Sequence, residues 1–316
     1  MPSHPLLEPN ARRGATNCAL VRRARGVSVE ARAAPPAPGP DELSLRVLVA
    51  GLCRTDVSVA RGALAVAEPR VIGHECAAIV EAVGAEVRHV APGDVVTLVP
   101  LVGCGACDTC RAHAPRGRWR CAAAQMLGVD RDGVFTERLV APAACAVRAP
   151  AGVDPRRVAL VEPLAAVTAV LETGLQLAGS IGVTGTGRIA ELTRRVLRHA
   201  GIETTDEGPA DIVIETGGTQ GALAHALQRA RRGGIVILKC RPPTPLALDV
   251  ALVVRRELRL IGAAYGDFDA AMALAADPSL PLEDLFGATL PLTEFERACR
   301  DGERQKVFFA PGPCAG

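Results

Sequence analysis

Residues 180–190 read Ser180-Ile-Gly-Val-Thr-Gly185-Thr-Gly187-Arg-Ile-Ala190. A short apolar run ends in two glycines and opens into a helical pattern. Glycine allows a tight turn and a close backbone approach to an anion, and the helix N-terminus behind it favours negative charge. G-x-G-x-x-A between a strand and a helix is the dinucleotide fingerprint in its required context. Gly185 and Gly187 are therefore candidate contacts for a cofactor pyrophosphate.

Working outward, the chain alternates. Ile189–His199 predicts a helix stopped by Gly201, Asp211–Glu215 a strand, Gly221–Arg232 a helix, and Gly234–Lys239 and Leu258–Gly262 two further strands. Leu164–Gln176 also has helical spacing. Alternating strands and helices imply a parallel sheet covered on both faces. One interval is short: nine residues, Ile202 to Ala210, separate Gly201 from the strand at Asp211. A parallel crossover takes about a dozen residues or more, so at least one helix–strand unit is expected to be missing. Asp206 stands 21 residues after Gly185, with Glu207 beside it, where a fingerprint acid contacts ribose. The same residue also reads as a solvated turn aspartate.

Upstream the texture differs. Residues 18–100 are rich in valine, proline and glycine, with strand-like runs at Leu45–Val49, Ala78–Val83 and Asp94–Leu98, and again at Gly133–Ala141 and Ala144–Arg148. This predicts an antiparallel β domain. Between these runs lies Cys104-Gly-Ala-Cys107-Asp-Thr-Cys110, with Cys121 after ten more residues. Four thiolates so spaced suit a closed tetrahedral zinc shell with a structural role. Free thiols and an iron–sulfur cluster are the alternatives. The other seven of the eleven cysteines are scattered and mostly read as small apolar core residues.

Composition excludes several classes. Apolar residues make up 49% of the 316 and charged residues 22%, which excludes wholesale disorder. The net charge of +2 gives no bias toward polyanions, and 3% aromatics argues against base-stacking surfaces, so no nucleic-acid partner is expected. Pro163–Val183, the most apolar stretch, carries Glu172 and Gln176, so no membrane span is expected. The N-terminal residues lack an apolar signal region, and residues 1–16 read as a loose extension.

Several motifs stand in fixed order: Cys53-Arg-Thr-Asp56, Gly73-His74-Glu75, Pro92-Gly-Asp-Val-Val96, the cysteine lobe, Asp132-Gly-Val-Phe-Thr-Glu137, Glu162-Pro-Leu-Ala165, the glycine turn and Lys306-Val307. Together, from about Cys18 onward, they resemble the zinc-dependent medium-chain dehydrogenase/reductase superfamily, the alcohol and polyol dehydrogenases. The resemblance implies an α/β chain. A GroES-like β catalytic domain would span residues 17–165, with the zinc lobe at 104–121. A shortened Rossmann domain would span 166–265, and the chain would return to the catalytic domain over 266–316. The active site would lie in the cleft between the two domains.

Residue by residue, it implies that Cys53 and His74 bind a catalytic zinc, with Glu75 as a swinging ligand and Glu162 on the metal or its water. Asp56 would orient His74, Thr55 would pass the substrate proton, and Arg54 would meet the pyrophosphate. Ser58 stands where a relay histidine is frequent, so proton exit would use water or another group. The implied cofactors are two zincs per chain and NAD or NADP, with Asp206 favouring NAD. The implied activity is hydride transfer between an alcohol or polyol and nicotinamide, in either direction, in a cytoplasmic homo-oligomer (a dimer or tetramer). The shortened nucleotide domain leaves open a catalytically weak or non-enzymatic, zinc-stabilised chain, and also a zinc-assisted non-redox reaction.

Overall fold

A computed structural model describes residues 16–112, 120–242, 244–301 and 305–314. The extension expected at residues 1–16 lies outside these except for Thr16, as does much of the loop before Cys121. The described chain forms two compact units, residues up to Glu162 together with Leu282 onward, and Pro163–Pro281.

The first unit is built on antiparallel strands. β1 (Thr16–Arg23) pairs along its length with β2 (Gly26–Ala33) and at one end with the short β4 (Arg70–Val71). β3 (Glu42–Gly51) is central to a larger sheet, flanked by β5 (Glu75–Val83) and by β9 (Arg138–Pro142). β6 (Val95–Leu98) and β10 (Ala146–Arg148) extend that sheet, while β7 (Leu101–Val102) and β8 (Gln125–Met126) make a separate ribbon at the cysteine lobe. Leu43, Leu45, Val47 and Val49 of β3 are all buried, the period-two pattern of a strand facing a core. Short helices α1 (Arg54–Ala60), α2 (Asp108–Ala112) and α3 (Pro155–Ala159) join these strands.

Helix α4 (Val161–Thr168) leads into the second unit. It is shorter than the expected 164–176, because the chain tightens through Val170 N–Val167 O and Leu171 N–Thr168 O bonds. Beyond it the parallel sheet runs β11 (Ile181–Thr184), β12 (Ala210–Glu215), β13 (Ala230–Leu238), β14 (Arg259–Gly262), in that order. Helices α5 (Arg188–His199), α6 (Gln220–Arg229), α7 (Val250–Arg255) and α8 (Phe268–Ala276) accompany it. α6 ends three residues early, since β13 already begins at Ala230. Ile181, Val183, Ile212, Ile214 and Ile237 form one apolar cluster with Val170, Ala190 and Leu197.

The short interval after Gly201 resolves as follows. Thr205 makes a single parallel bridge to Gly182, and the chain then re-enters the sheet at Ala210, with β12 on the opposite side of β11. One residue of pairing stands where a full strand would run. Arg229 ties this segment down. Its Nε donates to Gly208 O at 2.9 Å and its Nη2 to Thr205 O at 2.5 Å, and the residue is buried. Carbonyls outside a sheet ladder take such side-chain donors.

The tail returns to the first unit as β15 (Phe286–Leu290), α9 (Phe295–Asp301) and β16 (Lys306–Phe309), with β16 antiparallel to β3. The return falls at Leu282, not at residue 266 as the sequence suggested. Gly266 N donates to Ala165 O, Asp267 N to Glu172 Oε1, and His199 reaches Asp277 at 3.4 Å, so α8 stays with the second unit. A second correction concerns the scattered cysteines. Cys18 and Cys314 form a disulfide between β1 and the tail, whereas Cys76 and Cys145 are buried free thiols as expected.

Candidate metal centre

The register of β3 against β5 assembles the site. Gly51 pairs with Glu75, so the chain leaving β3 at Cys53 runs beside the chain entering β5 at His74. Cys53 Sγ, a His74 ring nitrogen and a Glu75 carboxylate oxygen all lie within 4.8 Å of one another. His74 and Glu75 are buried and Cys53 is half-buried.

Asp56 organises two of the three. Its Oδ2 accepts from the Cys53 backbone N–H at 2.8 Å, which caps α1, and its Oδ1 lies 3.0 Å from His74 Nδ1. Burial opposes protonation of His74, but Asp56 and Cys53 outweigh it and hold the imidazole well above the usual histidine value. Burial raises the Glu75 carboxyl, Lys306 lowers it, and Glu162 raises it again. Glu75 and Lys306 form a buried ion pair, and Lys306 Nζ also donates to Leu52 O at 2.9 Å.

Glu162 is buried and close enough for its charge to act on Glu75, but it stands outside the tight three-residue set. Thr55 places its hydroxyl 3.8 Å from Cys53 Sγ. Arg54 is exposed at the first position of α1. Lys306 entered the sequence reading only within the closing Lys306-Val307 motif, with no role given to it at this site.

The donor set fits a zinc ion. Thiolate, imidazole and carboxylate are zinc's ordinary protein ligands, and a set of three leaves a position open. With Nδ1 turned to Asp56, His74 keeps Nε2 for the metal, the arrangement in which an outer carboxylate fixes tautomer and ring orientation.

The cysteine lobe is a second set. Cys104, Cys107, Cys110 and Cys121 have sulfurs within 4.8 Å of one another, with Cys104–Cys110 at 4.0 Å and Cys107–Cys121 at 3.7 Å. Four sulfurs about 2.3 Å from one ion sit roughly 3.8 Å apart, and none of these four is disulfide-bonded. Backbone N–H groups of Ala106 and Cys107 lower the Cys104 thiol to about 6, while burial raises Cys110 to about 11. The order favours a thiolate at the lobe's exposed edge.

The glycine turn lies in the second unit. Gly185 follows β11 with φ of +104°, and a Cβ there would come 2.5 Å from Thr216 Oγ1. Gly187 caps α5 in extended conformation. Asp206 is exposed and paired with Arg194 at 3.3 Å, and Arg194 also donates to Val183 O at 3.1 Å.

The sequence profile of the alcohol dehydrogenase GroES-like domain matches residues 39–151. Beyond those residues the chain is similar over most of its length to dehydrogenases. Proteins similar to it include 2-dehydro-3-deoxy-L-galactonate 5-dehydrogenase of Pseudoalteromonas atlantica, 28% identical over 311 residues, covering 85% of this chain and 90% of that protein. L-Threonine 3-dehydrogenase of Bacillus subtilis is 28% identical over 324 residues, covering 85% and 91%. Among solved structures, a zinc-binding dehydrogenase of Sinorhizobium meliloti 1021, bound to NADP, superposes with a TM-score of 0.83. It is 26% identical and covers 94% of this chain and 100% of that one. Among the described residues, no helix is long and apolar enough to cross a membrane.

Proposed function

We propose that the chain is an NAD(P)-dependent zinc oxidoreductase that moves a hydride between a secondary alcohol, polyol or amino alcohol and nicotinamide. The convergence of Cys53, His74 and Glu75, with His74 fixed by Asp56, carries this reading. Zinc held by Cys53 and His74 would supply Lewis acidity toward a substrate oxygen. Glu75 and Glu162 furnish carboxylates beside it. The Thr55 hydroxyl takes the substrate proton, and with Ser58 in the relay position water or another group carries it outward. In the second unit Gly185 and Gly187 receive the pyrophosphate at the start of α5, and Arg54 adds a cation for it. The lobe at Cys104, Cys107, Cys110 and Cys121 holds the second, structural zinc.

One observation favours a weaker variant of the reading. Asp206, in the place of the ribose acid, is paired with Arg194, and one bridge replaces the strand that would carry it. Loose cofactor binding is the consequence, and NADP is not disfavoured. Leu248, Val250 and Val254 are exposed, which supports association of copies into a dimer or tetramer.

The deciding experiment combines metal analysis with NADH and NADPH fluorescence titration on one sample. It is followed by turnover on polyols, L-threonine and sugar acids. Two zincs per chain and a saturable nicotinamide signal are expected. No binding of either nucleotide at millimolar concentration discards the oxidoreductase.

A further inference from the structure

Carbonyls along a strand alternate between its two edges. In β11, Ser180 O and Thr184 O point to β12, where Ile212 N and Thr216 N donate to them. Ile181 O, Val183 O and Gly185 O point the other way, to the edge on which a second strand would pair. Thr205 N donates to the first of these at 2.7 Å. The other two are met by one side chain. Arg194 Nη2, from α5, lies 3.1 Å from Val183 O and 3.5 Å from Gly185 O. A guanidinium thus stands where a strand would run.

The register fixes how far the stub reaches. Thr205 stands opposite Gly182, which puts Asp206 level with Val183, two residues short of Gly185. At about 3.3 Å per residue the shortfall is about 7 Å. An acid that meets the ribose must reach the height of the glycine turn, where the pyrophosphate lies. Asp206 turns instead to Arg194, at 3.3 Å. Beyond it Gly208 reverses the chain with φ of +76°, and Arg229 pins the reversal through Thr205 O and Gly208 O. The chain then enters β12, and among the described residues no strand lies beyond β11 on that edge.

The glycine turn and the helix behind it are complete, but the ground for an adenosine is not. We propose that this chain recognises its nicotinamide cofactor through the mononucleotide half alone, so that reduced nicotinamide mononucleotide binds as well as NADH or NADPH. This rests on the nucleotide reading of the turn at Gly185 and Gly187. That turn, at the N-terminus of α5, suits a single terminal phosphate as well as a pyrophosphate. The adenosine of a dinucleotide meets no acid at its ribose and no second strand to lie against. It stays in solvent and adds little to the affinity.

The test is nicotinamide fluorescence titration of the zinc-loaded full chain with the three reduced nucleotides. The mononucleotide is expected to bind within about fivefold of NADH and NADPH. Adenosine at millimolar concentration is expected to displace none of them. Asp206→Ala is expected to shift the affinities for NADH and the mononucleotide by the same factor, because the acid serves Arg194 and not a ribose.

A preference for NADH beyond that margin overturns the proposal. So does a loss in Asp206→Ala confined to the dinucleotides, or displacement by adenosine. Failure of all three nucleotides to bind overturns the oxidoreductase reading itself, and this inference with it.

Discussion

Asp56 Oδ1 lies 3.0 Å from His74 Nδ1, and both side chains are buried. The same carboxylate caps α1 at Cys53, so one buried acid orients two candidate ligands drawn from different parts of the sequence. Asp56→Asn keeps the shape but gives up the charge. Zinc affinity at this site is expected to fall about 10–100-fold, read by chelator competition, while the cysteine lobe keeps its metal.

In the metal-free chain, Cys104 is the lobe's reactive thiol. With its value lowered to about 6 it is mostly thiolate at neutral pH, and it is exposed, whereas Cys110 is buried and raised to about 11. Brief iodoacetamide treatment followed by peptide mass spectrometry is expected to find Cys104 labelled well ahead of Cys110. Zinc added first protects both.

The Cys18–Cys314 disulfide closes a loop with a sequence separation of 296. Chain-entropy arguments put the ceiling on its contribution at about 5–6 kcal/mol. Thiol titration of the unfolded, metal-free protein is expected to count nine groups before reduction and eleven after. Cys314→Ser should melt at a lower temperature and lose its dependence on reductant.

Asp211 gives an acid-side dependence. Its carboxylate accepts from Ser180 N and Oγ and from Arg231, which lowers it from 3.8 to about 2. A depressed folded-state value means stability that is present above the unfolded value and lost as pH falls from about 4 toward 2. In Asp211→Asn that segment of the stability–pH curve should flatten, measured by denaturant unfolding at successive pH values.

Gly185→Ala tests the turn. Positive φ strains any side chain there, and the added methyl meets Thr216. Nicotinamide binding is expected to weaken at least about tenfold with the zinc content unchanged.

Much of this was legible in the sequence. The glycine turn, α5 and its stop at Gly201 follow local rules of conformation, and β11 and β12 appear within a residue of their expected bounds. The four cysteines of the lobe lie close along the chain, so their spacing alone brought their sulfurs within reach of one ion. Cys53, His74 and Glu75 were legible only as members of an ordered set of motifs, because each taken singly is an ordinary residue.

What the chain's local patterns determined was its strands, its turns and its clustered thiols, since those depend on neighbours a few positions apart. What tertiary structure alone decided was who meets whom across strands. Lys306 against Glu75, Cys18 against Cys314, Arg194 on Asp206 and Arg229 on Gly208 all depend on register and burial between distant segments. A one-residue slip of β16 against β3 would turn Lys306 to the opposite face. No property of Lys306's sequence neighbours records that choice.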